Sequence, residues 1–138
     1  MLEHERDIAS GVYFLKSEVT EPLIFPSRGG GAGKFRPGES FETWGHGMGL
    51  TLVNLDGYRR MNDELKLPLD KYGSPEWYRT PNEPKDMERE GNMLWCSGTE
   101  DLYFLHNASK IGIQAFVDCS RLTFGFHYDL VKRKAYPQ

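Results

Sequence analysis

The end of this chain is matched to itself. With Cys119-Ser120 as a two-residue turn, Asp118 faces Arg121, Val117 faces Leu122, Ala115 faces Phe124, Ile113 faces Phe126 and Ile111 faces Tyr128. Beyond the ion pair beside the turn, every pair is apolar, so one face of such a ribbon is core. A slip of one residue would exchange the two faces and destroy the match. Cys-Ser is not a favoured two-residue turn, so a longer loop is the alternative closure. Residues 93–96, 102–106, 111–118 and 121–131 are separated by short turns, which together predict an antiparallel meander.

The rest of the chain carries shorter signals. Residues 11–16, 40–44 and 48–54 read as strands, and residues 23–25 as a short edge strand between Pro22 and Pro26. Tyr58, Met61 and Leu65 recur at helical spacing, and Pro68 stops the helix they predict. A second short helix is expected over 83–90, with Asn82 as its cap, Pro84 in its first turn and Gly91 past its end. Two irregular segments, the glycine-rich 27–38 and the proline-rich 68–92, interrupt these elements. Trp77 and Tyr78 in the second should pack down onto the domain. Residues 1–138 are therefore expected to form a single mainly-β domain: an antiparallel sheet or small sandwich with a C-terminal β-meander and one or two short helices.

Charge and composition narrow the classes of function. Seventeen Lys and Arg stand against twenty Asp and Glu, for a net charge of −3. That balance argues against a general nucleic-acid binder. An aromatic fraction of 13% is too high for a disordered chain. No apolar run has the length of a membrane span, and the charged first residues do not read as a signal peptide. Cys96 and Cys119 are far apart and lack metal-ligand spacing. The expectation is a cytoplasmic chain with reduced thiols and no cofactor or metal motif. Asn107-Ala108-Ser109 fits a glycosylation sequon, which carries little weight without a secretory signal. The basic 132–134 is read as a solubilising tail.

Several constellations bear on chemistry. His127 and Asp129 are two apart on an expected strand and so share a face, the arrangement of a histidine oriented by a carboxylate. The same spacing is what any solvated strand face shows. His46 lies among Gly45, Gly47 and Gly49, where it is either an exposed imidazole at a site lip or part of a packed glycine turn beside Trp44. His106 is read as a structural histidine at the core margin. Asp86, Glu88, Glu90, Glu100 and Asp101 could add a carboxylate to a histidine site. In the glycine segment, Arg28, Lys34 and Arg36 with free backbone N–H groups could hold an anion. The segment fails the stricter phosphate-loop pattern, because Arg28 stands in place of the first glycine and Phe35 in place of the hydroxyl residue. Trp77, Tyr78 and Arg79 are either a recognition surface or a plug over the sheet.

Long loops on a sheet scaffold, without a convincing catalytic motif, point to a non-catalytic binding domain for a protein partner or an anionic ligand. The alternative is a small hydrolase or nuclease acting on an anionic substrate through His127, Asp129 and His46. A structural subunit of a larger assembly is the third reading.

Overall fold

A computed structural model describes residues 5–14, 21–30, 33–120, 127–129 and 134–136, with backbone alone for 85, 127–129 and 134–136. Its centre is a four-stranded sheet in the order β3-β8-β1-β5, formed by β1 (Ile8–Ser10), β3 (Ser40–Thr43), β5 (Thr51–Val53) and β8 (Ala115–Asp118). β1 is antiparallel to β5 and parallel to β8, and β8 is antiparallel to β3. Small two-stranded sheets surround it. β2 (Ile24–Phe25) pairs with β4 (Gly45–His46), β6 (Glu88–Glu90) with β7 (Met93–Trp95), and β9 (His127–Asp129) with β10 (Lys134–Tyr136). Two helices, α1 (Leu55–Leu65) and α2 (Glu100–Lys110), complete the fold. The mainly-β class with two short helices is as expected.

The register shows which face is core. Thr43, Ala115, Ile8 and Val53 form one row across the sheet, and Phe41, Val117, Ser10 and Thr51 form the next on the same face. Met61 of α1 and Phe104, Leu105 and Ala108 of α2 join Ile8 and Ala115 in one buried cluster. A second cluster, Val12, Ile24, Val117 and Cys119, extends the core under Phe35 and Phe41. Both cysteines are free thiols.

Each helix is set by local chemistry. Asn54 caps α1 by accepting from the Asp56 N–H at 3.0 Å, and Lys66 ends it in the left-handed region at φ 49°. Thr99 caps α2, Glu100 and Asp101 complement its N-terminus, and Lys110 complements its C-terminus.

α2 replaces the strand expected over 102–106. Five residues of apolar character do not distinguish a strand from a helix by period. The cap and the i, i+4 spacing of Phe104 and Ala108 decide it. The helix expected over 83–90 is also corrected: a single 3-10 turn, Pro84–Asp86, leads directly into strand β6. Nor does β8 pair as the matched register required. Val117 sits between Ser10 and Phe41, and Ala115 between Ile8 and Thr43, so both edges of β8 are taken. The partners of Ala115 and Val117 are thus β1 and β3, not the expected Leu122 and Phe124. Those residues themselves, and most of the expected strand over 121–131, lie outside the described residues. The apolar alternation correctly marked the buried face of β8 but says nothing about which strand is its neighbour.

Candidate functional site

The two long loops converge on one place. Between α2, the β6–β7 hairpin and the segment after α1 lies a cleft of about 260 Å³. Leu67, Pro68 and Pro81 give it apolar surface, and Trp95 and Tyr103 give it aromatic surface. Its polar lining is Arg79, Asp86, Glu88 and Ser97, with His106, Asn107 and Lys110 of α2.

Glu88 is the hub. Its Oε1 accepts from Lys110 Nζ at 2.5 Å, and its Oε2 accepts from His106 Nε2 at 2.9 Å and from Arg28 Nη2 at 3.1 Å. Burial alone would raise the Glu88 carboxyl. The hydrogen bonds from Lys110 and His106 outweigh that and bring it down to about 2. Burial lowers His106 below its ordinary value, against the upward pull of Glu88. We therefore take His106 as neutral at pH 7, donating through Nε2. The charge that holds Glu88 ionised then comes from Lys110 and Arg28. In this tautomer Nδ1 carries the lone pair, and it is buried without a hydrogen-bond partner.

Aromatic packing fixes the wall around this hub. The Arg28 guanidinium lies 3.5 Å from the centre of the Trp95 ring while Nη1 bonds Glu90 at 3.0 Å. Trp95 in turn meets Trp44 edge-on at 5.5 Å and His106 at 4.8 Å. On the other side, Arg79 pairs with Asp86 and lies 3.6 Å from Glu76. Asp86 also accepts the backbone N–H groups of Asn82 and Glu83 at 3.1 and 2.9 Å. Arg79 and Asp86 thereby staple the proline loop into its turn.

Trp77 and Tyr78 behave as a plug. Tyr58 meets Trp77 edge-on at 5.5 Å, and Trp77 Nε1 donates to the Tyr58 carbonyl at 3.4 Å. Tyr78 stacks on Phe104 at 4.8 Å and shares a 2.7 Å hydrogen bond with the Tyr58 hydroxyl. Burial and that bond raise the Tyr78 hydroxyl above its ordinary value.

The three cations of the glycine segment do not line one site. Arg28 is committed to Glu88 and Glu90. Lys34 and Arg36 are exposed and line a separate open groove of about 320 Å³ with Phe35 and Phe41, where Arg36 lies 3.7 Å from Glu39. His46 is not at a lip: it is 1% exposed, Nδ1 donates to the Gly47 carbonyl at 3.1 Å, and Nε2 has no partner. The backbone beside it runs close to α2: a Cβ on Gly45 would stand 2.7 Å from the end of the Leu102 side chain, which would have to move aside. His127 lies opposite Tyr136 and Asp129 opposite Lys134 on the β9–β10 pair. Their side chains lie outside the described residues. Asn107 is 6% exposed inside α2, so the folded chain does not present that sequon.

Among the described residues, no group of His, Cys, Asp and Glu could hold a metal ion, and no helix is long and apolar enough to cross a membrane. No family model matches this chain, and none of the curated proteins or solved structures compared with it is similar to it.

Proposed function

We propose that this chain is a non-catalytic binding domain whose ligand enters the cleft between α2 and the β6–β7 hairpin. The observation that carries this reading is the state of the cleft's charged groups: Arg79, Asp86, Glu88 and Lys110 are each already paired within the protein. Glu88 is a poor general base, because its carboxyl sits near 2 and three donors occupy it. The lone pair of His106 is on a nitrogen out of reach of solvent. A hydrolase centre in this cleft would need one of these groups free. The site's virtue is rigidity, which favours recognition.

The test is a panel of small polar fragments added to the 15N-labelled chain. Binding should move the amide signals of Ser97, Tyr103 and Asn107 and the Trp95 indole signal together. Shifts that cluster at Lys34 and Arg36 instead, or a panel that moves nothing, would refute the assignment of the cleft.

A further inference from the structure

Each charged group of the cleft already faces an opposite charge, and beside them stand neutral groups whose hydrogen-bonding capacity is unspent. Ser97 is only 6% exposed, lines the cleft, and its hydroxyl has no hydrogen-bond partner among the described residues. The side-chain amide of Asn107 has none at either end, and its nitrogen is fully buried. Tyr103 lines the same cleft, half-buried, with neither a hydrogen bond nor a ring contact. A buried polar group left unpaired in the protein is costly, so the Asn107 nitrogen marks a place where something else supplies the partner, and Ser97 and Tyr103 set two unpartnered hydroxyls in the same cleft.

We infer that the cleft takes an uncharged, polyhydroxylated ligand of monosaccharide size. This rests on the binding reading above and names its ligand class. Three observations select that chemistry. The charges lining the cleft cancel, with Arg79 and Lys110 against Asp86 and Glu88, so an ionic ligand meets no uncompensated opposite charge. It would have to break an existing ion pair to gain one. The unspent groups mix donors and acceptors: two hydroxyls and an amide. A hydroxyl-bearing ligand both donates and accepts at each position and can satisfy such a set in several ways. The Tyr103 ring, free of aromatic neighbours, together with Leu67 and Pro68, offers apolar surface to the C–H faces of a sugar ring. The volume of about 260 Å³ falls below the usual range for drug-sized ligands, which fits a single ring.

The experiment titrates the 15N-labelled full chain with glucose, galactose and mannose. In parallel it uses the charged relatives glucuronate, galacturonate and glucosamine. At least one neutral sugar should saturably shift Ser97, Tyr103 and Asp101–Asn107 amides, with the charged relatives weaker by about tenfold or more. Ser97→Ala with Tyr103→Phe removes two oxygens and should weaken that sugar by about tenfold at an unchanged melting temperature. If the double variant is unstable, Tyr103→Phe alone is read, since that side chain is half-exposed. Charged relatives that bind the cleft as tightly as neutral sugars would overturn this inference and leave the binding reading standing. So would fragments that bind the cleft when no sugar does. Neutral sugar binding that ignores both oxygens would overturn it as well.

Discussion

Lowering the pH from 7.5 to 4.5 should destabilise this protein through His46, by an amount the structure sets. The imidazole is 1% exposed; burial lowers it from 6.5 to about 4, and the Gly47 hydrogen bond offsets only part of that. The folded state thus binds a proton less readily than the unfolded chain. Stability is full above pH 6.5, falls as the unfolded state takes up its proton, and levels off below about 4. Integrated to pH 4.5, this amounts to about 2 to 3 kcal/mol, a large fraction of the stability of a domain this size. His106 is shifted in the same direction and adds to the wild-type slope. Glu88, lowered from 4.5 to about 2, loses its contribution mainly below this window. The assay is urea unfolding of the wild type and His46→Gln at several pH values across the range. The variant will start less stable, since a packed ring is lost. What matters is its slope, which should be shallower by about 2 to 3 kcal/mol over the window. Parallel curves would show that His46 is not held neutral in the folded state.

Replacing Trp77 and Tyr78 together by Ala should cost about 3 kcal/mol and lower the melting temperature by about 10 °C; unchanged melting would mean that the two rings serve a partner instead of the fold. Glu88→Gln should destabilise by about 1 kcal/mol at pH 7, a figure discounted because the side chain is 40% exposed. Glu88 is a lowered carboxyl, so this contribution is present above pH 4.5 and should vanish towards pH 2; a variant difference that persists at pH 2 would count against the ion-pair account. Thr99→Ala should cost about 1 kcal/mol of stability by uncapping α2, measured by urea unfolding, whereas a neutral result would deny the cap.

What could be read from residues alone follows the range of the interactions. α1 was legible because its signals are local: three apolar residues at helical spacing, with Pro68 after them. β3, β5 and β7 were legible as short alternating stretches. α2 was misread because Leu102–His106 is too short for its period to speak, although Thr99 followed by two acidic residues is a helix-start signal that was available. The neighbours of β8 were beyond reach, because the parallel β1–β8 pair joins residues about a hundred positions apart. The site divides in the same way. Glu88 was recognised as a carboxylate for a histidine, but its histidine is His106 on the misread helix. Arg28 and Arg79 were singled out separately, and nothing local in either loop tells that Glu88 and Asp86, in a single short segment, would claim both.

That shared segment is what would let a cleft walled partly by irregular chain act as the proposed binding site. Long side chains such as Arg and Lys lose much rotamer freedom when they are ordered. Here that loss is taken during folding, by the Arg28, Lys110 and Arg79 ion pairs and by the Arg28–Trp95 stack, so a ligand need not bear it on binding. The cost is that these charges can no longer discriminate, because any new partner competes with carboxylates already in contact. On the proposed binding reading, selectivity would fall to Ser97, Tyr103 and Asn107, with the charges keeping the wall in place. Two kinds of variant should therefore behave differently. Removing an oxygen from Ser97 or Tyr103 should weaken binding at constant stability. Glu88→Gln should weaken binding only as far as it loosens the β6–β7 hairpin, with stability and affinity falling together.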